Sequence, residues 1–200
     1  MYEFPLSLSQ KKLINEWTTK KNKPLFITGN SGSGKTTFAN QLLNDYHIIH
    51  INSEHLKYSG DLIDYIKNSL FKMDILIMCS KHKYKALLID DIHLFVKYSK
   101  SILTQLISFL KTIHKDHPII LISDEITHKL ISVIEFISYK IMFNFPISHY
   151  VSLFSDKSNK NLETFIKQSN KNIHILKNNI KGNYTQNIDK EYTLTTRIKM

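Results

Sequence analysis

Arginine is almost absent from this 200-residue chain: of 27 basic residues, only Arg197 is arginine. Chemistry that needs a planar, bidentate cation therefore finds little within the chain, because lysine offers a point charge in place of a fork. Cysteine is represented by Cys79 alone, which excludes an internal disulfide and points to a reducing, intracellular setting. The ten histidines are scattered without ligand spacing, so a structural metal site is not expected. No apolar run approaches the roughly 20 residues that cross a bilayer. Met1-Tyr2-Glu3-Phe4-Pro5 has neither a basic region nor an apolar core, so no secretory signal is expected. Glycine is scarce as well, at five residues, and three of the five fall within one short stretch.

That stretch is Gly29-Asn30-Ser31-Gly32-Ser33-Gly34-Lys35-Thr36, with the spacing G-x-x-x-x-G-K-[ST]. Such a loop curls its backbone N–H groups around a phosphate chain. The apolar segment Pro24–Thr28 before it suits a buried strand, and Thr37–Leu43 after it is apolar at helical spacing, so strand, loop and helix come in the required order. Glycines permit the close backbone approach, and the new helix points its positive N-terminus at the phosphates. Lys35 is expected to reach the β/γ-phosphates, the Thr36 hydroxyl to ligate Mg²⁺, and Gly29 to Thr37 to line the nucleotide. A flexible Gly/Ser turn is the bland alternative.

Two hundred residues with 42% hydrophobic content can bury the core of one α/β domain with a small appendage. The formal charge of +10 favours a polyanionic partner, DNA above all, through phosphate contacts and counterion release. The richness in Lys, Ile and Asn also matches an AT-rich coding sequence, which accounts for part of that basicity.

The spacing predicts a helix over Ser9–Lys20 through Leu13, Ile14 and Trp17. Phe4 and Pro5 before it either line an adenine pocket or simply pack. His47–Ile51 reads as a strand and Gly60–Phe71 as a helix, while Met73–Cys79 is apolar but of uncertain type. In Tyr84–Asp91 four apolar residues run into two carboxylates, as in a buried parallel strand that delivers acids to the C-terminal edge of a sheet. Beside a phosphate loop, Asp90 would hold Mg²⁺ and Asp91 would polarise a water as general base; alone, the pair would be a solvated turn. A helix over Ile102–His114 precedes the strand Pro118–Asp124. Its end offers Asp124, with Ser123 beside it, to sense the γ-phosphate or the lytic water, unless it is a plain strand terminus. Leu130–Ile137 should be helical and Ile141–Phe145 a fifth strand. Helical candidates follow at Tyr150–Phe154, Leu162–Gln168 and Ile173–Ile180, and Gly182–Met200 is polar and aperiodic. The expected organisation is a nucleotide-binding core over 1–146, a small helical lid over 147–181 and a mobile tail over 182–200.

The phosphate loop, the Asp-Asp strand, the polar-tipped strand and the helical region after them resemble the AAA+ ATPases. Within these the chain is most similar to clamp-loader small subunits and bacterial-type replication initiators. His50-Ile51-Asn52-Ser53-Glu54 and Phe165–His174 resemble the clamp-loader pattern, whereas Leu87–His93 and Ile120–Asp124 look closer to the initiators. The resemblance implies a five-stranded parallel sheet flanked by helices, with a C-terminal helical lid. It also implies ATP and Mg²⁺ as ligands, and a homo- or hetero-oligomer in a replication assembly with no membrane.

Two family arginines are missing. Where clamp-loader small subunits present an arginine finger to a neighbour's ATP, this chain has Ser138-Tyr139-Lys140, and the second-sensor arginine falls near His174. A finger contributes about 10³ to 10⁵ in rate, so ATP is expected to bind well and turn over slowly unless a partner supplies arginine. The chain ends before the collar through which clamp loaders assemble, so a standard five-membered loader is not expected. The leading expectation is an ATPase acting on DNA or in a loading complex. The alternatives are a non-catalytic ATP-binding regulatory subunit and a nucleoside or nucleotide kinase, whose lids are normally arginine-rich.

Overall fold

The computed structural model describes residues 4–57, 61–72, 84–112, 117–124, 128–153 and 162–178, which fall into two compact units. The first runs to Gly29 and from Gly34 to Phe143; the second comprises Asn30–Ser33 and the described residues from Asn144 onward.

The first unit is built on five parallel strands: β1 (Leu25–Gly29), β2 (His47–Ile51), β3 (Lys85–Ile89), β4 (Ile119–Ser123) and β5 (Tyr139–Phe143). Their order in the sheet is β2-β3-β4-β1-β5. The near-continuous apolar runs of the three inner strands follow from burial on both faces. Edge strands β2 and β5 keep exposed positions, among them His47, His50 and Met142. One face carries Phe26, Leu87, Ile89 and Leu121 against α3 (Leu62–Phe71), α4 (Ile92–Tyr98), α5 (Lys100–Thr112) and α6 (Lys129–Ile137), from which Ile66, Phe95, Leu106 and Ile134 are fully buried. Side chains alternate along a strand, and α1 (Leu8–Lys20) and α2 (Lys35–Leu42) cover other strand residues, with α1 on β5 and α2 on β1 and β4.

Local chemistry sets the helix ends. Ser7 and Gln10 form a reciprocal capping box at α1, which starts one residue before the periodicity implies. Asp61 accepts from the Ile63 and Asp64 N–H groups at the start of α3. At its other end the Lys85 ammonium, on a residue only 9% exposed, donates to the Ser69 and Lys72 carbonyls at 2.6 Å each. A cation there satisfies terminal carbonyls and complements the helix dipole.

The fifth strand differs from the sequence expectation. It spans Tyr139–Phe143, not Ile141–Phe145, because pairing with β1 starts at Leu25↔Tyr139 and ends at Gly29↔Phe143. The Tyr139 N–H donates to the Pro24 carbonyl, which brings the strand start two residues forward.

The second unit holds α7 (Ile147–Leu153), α8 (Leu162–Gln168) and α9 (173–178) around buried Tyr150, Ile166 and Leu176. Lys171 donates to Asn144 Oδ1 and the Phe145 carbonyl, both at 2.9 Å. Asn172 Oδ1 accepts from the His174 and Ile175 N–H groups. The Ile173 N–H donates to the Gly32 carbonyl at 3.1 Å. The apolar segment 73–79 and the polar stretch 182–200 lie outside the described residues.

Candidate active site

Strand order creates the site. Because β4 inserts between β1 and β3, Gly29 at the end of β1, Lys35 and Thr36 at the start of α2, Asp124 after β4 and the Asp90-Asp91 pair after β3 come together at one edge of the sheet. That edge, beyond the strands' carboxyl ends, is where open α/β sheets bind ligands.

Lys35, at the start of α2, is 5% exposed. Its ammonium donates to the Gly29 carbonyl at 2.9 Å and meets Asp124 Oδ1 at 2.6 Å. Thr36 Oγ1 donates to Asp90 Oδ2 at 2.8 Å, and the Asp91 N–H donates to Asp90 Oδ1 at 2.9 Å. Thr37 is exposed on the first turn of α2. Gly29 tolerates no side chain: its φ is +153°, and an added Cβ would lie 2.4 Å from the Phe143 carbonyl oxygen. Gly34 is the left-handed residue preceding α2, at φ +94°. In the second unit, Asn30 and Ser31 are exposed, whereas Ser33 is 1% exposed. The Ser33 hydroxyl is buried with no hydrogen-bond partner among the described residues. A buried hydroxyl of that kind calls for an acceptor, and a phosphate oxygen supplies one. The paired Thr36 hydroxyl and Asp90 carboxylate are hard oxygen donors suited to Mg²⁺.

The two acids differ in electrostatics. Burial alone would push the Asp90 carboxyl up, but His50, the Thr36 hydroxyl and the Asp91 N–H outweigh it and hold Asp90 below its usual value. Asp91 is pushed up, first by burial and then by the neighbouring Asp90 charge. Its backbone is left-handed at φ 53°, ψ 40°, a turn that swings the chain from β3 directly into α4.

Two histidines join the site that spacing alone did not indicate. His93 Nδ1 accepts the Asp124 N–H at 3.3 Å, and Asp91, His93 and Asp124 each bring one potential ligand atom within 4.8 Å of the others. His93 and Asp124 are 31 positions apart and meet only because β3 and β4 are neighbours. The positive charge already facing this cluster is the Lys35 ammonium. His50 Nε2, on edge strand β2, lies 3.8 Å from Asp90 Oδ2. Phe4 packs on Phe38 and Phe143, with ring centroids 5.1 and 5.7 Å away. Lys140 is ion-paired with Glu135, and His174 is exposed on α9.

The sequence profile of the ATPase family associated with various cellular activities (AAA) matches residues 25–137, more than half of the chain. No curated protein sequence matches it significantly. AMPPCP-bound DnaA from Aquifex aeolicus is 17% identical with a TM-score of 0.56, over 89% of this chain and 62% of that one. Domain III of the Thermotoga maritima replication initiation protein DnaA is 19% identical with a TM-score of 0.53, over 94% and 88%. A DNA polymerase III gamma subunit-related protein from Thermotoga maritima is 13% identical with a TM-score of 0.59, over 86% and 57%. At such identities the likeness is one of fold, and the chain spans 62% of the Aquifex initiator chain.

Proposed function

The chain belongs to the AAA family of ATPases, and from that premise we propose that it binds and hydrolyses ATP with Mg²⁺ to drive a conformational change in a DNA replication or loading complex. The observation that carries this is the convergence of Lys35, Thr36, Asp90, Asp91 and Asp124 at one edge of the sheet. Structural neighbours include a replication initiator bound to AMPPCP and single-stranded DNA, 17% identical, with a TM-score of 0.54. With the chain's basic charge, this favours nucleic acid as partner over a small-molecule phosphate acceptor. On this reading residues 1–146 form the nucleotide-binding core and 147–181 the lid.

The backbone N–H groups of 29–36 and the Lys35 ammonium bind and orient the phosphates. Thr36 and Asp90 hold the divalent cation, which when bound neutralises charge developing on the phosphate oxygens. Asp91 accepts a proton from water, and burial and the neighbouring Asp90 charge, which raise its pKa, make it a stronger base than an ordinary carboxylate. Asp124, held against Lys35, registers whether that lysine is engaged by phosphate.

No arginine stands among these groups. Lys140 is tied to Glu135, so it supplies no free cation in the finger's place. Slow turnover follows, with completion by an arginine from another chain; the same feature favours, as second reading, a regulatory subunit in which binding matters more than hydrolysis. The test measures ATP hydrolysis with and without DNA for the wild type, Lys35→Ala and Asp91→Asn. Measurable wild-type turnover lost in both variants is expected, and equal rates in all three would remove the catalytic assignment. Nucleotide binding by the wild type without turnover in any of the three would establish the regulatory reading.

A further inference from the structure

The opposite edge of the same sheet is not used by the nucleotide site. There, the turns leading into the strands carry exposed rings and lysines. Tyr84, immediately before β3, is 66% exposed, and Phe71, at the end of α3, is 60% exposed. Phe71 packs edge-on to His117, just before β4, with ring centroids 5.5 Å apart. Lys85 ties together the two backbone positions that carry these rings, because it follows Tyr84 and its ammonium holds the Ser69 and Lys72 carbonyls flanking Phe71. The His117 ring nitrogen Nδ1 is 3.1 Å from the Lys85 carbonyl, so all three rings are anchored to one strand start. His117 also shares a shallow notch with Lys21, Lys23 and Pro24, the turn into β1. Lys21 reaches Tyr46, before β2, bonding its hydroxyl at 2.7 Å.

Charge on these turns has one dominant sign. Among residues 21–24, 44–46, 71–72, 84 and 117–118, Lys21, Lys23 and Lys72 face a single acid, Asp45. Exposed ring faces interleaved with ammonium groups suit a strand whose bases are unpaired: each base stacks, and each phosphate meets a lysine. A duplex hides its base faces from such rings. Resting on the nucleic-acid partner proposed above, we infer that the rim at the N-terminal ends of β1 to β4 is a stacking platform for single-stranded nucleic acid, with Tyr84 and Phe71 as the stacking residues and Lys23 and Lys72 as phosphate contacts. Strands of five residues at about 3.3 Å per residue put it roughly 15 Å from Lys35 at the other edge, so a strand bound there does not overlap the nucleotide.

The experiment is fluorescence anisotropy of the full chain with labelled dT15, U15 and a 15-base-pair duplex, at 50 and 200 mM salt. Tyr84→Ala and Phe71→Ala should each weaken single-strand binding by about 5- to 150-fold. Lys23→Gln with Lys72→Gln should reduce the salt slope by about 1.4, at roughly 0.7 per lost phosphate contact. ATP hydrolysis should be unchanged in these variants, which also reports that they fold. Tyr65→Ala is the control: this residue, 51% exposed, sits earlier on α3 beside His55, and its loss should change nothing. Preference for dT15 over U15, or the reverse, separates DNA from RNA. Single-strand binding unaffected by the rim variants overturns the platform and leaves the nucleic-acid reading intact. Duplex binding as tight as single-strand binding overturns stacking. Binding of none of the three removes both inferences.

Discussion

Gly29→Ala is the sharpest perturbation the structure offers. The new Cβ would sit 2.4 Å from the Phe143 carbonyl oxygen and 2.9 Å from its Cβ. Neither neighbour yields easily, since Gly29↔Phe143 is the last register pair between β1 and β5. The Phe143 ring is 1% exposed and packs between Phe4 and Phe38, at 5.7 and 5.0 Å. A backbone conformation reserved for glycine costs about 1–3 kcal/mol, and forcing an extra methyl into a packed site about 1–3 more. The sum, about 2–6 kcal/mol, corresponds to a fall in Tm of roughly 5–20 °C for a chain of this size. Gly34→Ala is the comparison. Its Cβ would meet only the tip of the Phe4 ring, at 3.2 Å, so the backbone strain at φ +94° dominates and the fall should be about half as large. Thermal unfolding of the full chain followed by circular dichroism measures both. A Gly29→Ala melting point within 2 °C of wild type, or a larger loss in Gly34→Ala, would refute the steric argument. Because the Gly29 carbonyl also accepts from Lys35, Gly29→Ala should further weaken the melting shift given by MgATP.

Other outcomes follow from the acids. Asp124→Asn removes a carboxylate from the buried Lys35 ammonium, and should lower stability by about 1–3 kcal/mol. The same change should enlarge the stabilisation by MgATP, because phosphate no longer competes with Asp124; a smaller ATP-induced Tm shift would contradict this. For Asp91, whose folded pKa is raised, the stabilising contribution is complete below its ordinary value of 3.8 and fades as pH rises through the folded value. At pH 7 Asp91→Asn should therefore raise Tm while abolishing hydrolysis, since asparagine accepts the left-handed backbone. The gain should vanish near pH 3.5, and a gain that persists there would refute it. Asp90 acts in the opposite sense: its folded pKa is lowered, so its contribution is present above 3.8 and is lost as pH falls through the folded value. Asp90→Asn should accordingly destabilise at pH 7, flatten that acid limb in a melting series, and weaken Mg²⁺-dependent nucleotide binding at least tenfold.

The phosphate loop and the Asp-Asp strand were legible because each is a local pattern: a fixed spacing in one, an apolar run ending in acids in the other. The inner strands were legible for the same reason, since burial on both faces leaves long apolar runs in β1, β3 and β4. The insertion of β4 between β1 and β3 was not, because lateral order in a parallel sheet is decided by crossovers and leaves no mark on the strands. The meeting of His93 with Asp124 depends on that order, and on a left-handed turn at Asp91 that no periodicity announces. The fifth strand was displaced by two residues because hydrophobicity favours Ile141–Phe145, whereas its start is fixed by a hydrogen bond to Pro24, more than a hundred residues earlier.

Lys85 bears on how the chain's charge should be counted. Its ammonium adds to the formal +10 and raises the isoelectric point, yet it is enclosed by two helix carbonyls and cannot reach a phosphate to displace that phosphate's counterion. Lys35 and Lys140, committed to Asp124 and Glu135, are similarly withdrawn. A titration of the whole protein will register these charges, but the salt dependence of polyanion binding counts only ammonium groups that neutralise a phosphate. Measured ion release should therefore fall short of what composition suggests, and the shortfall gauges how many lysines this fold has turned inward.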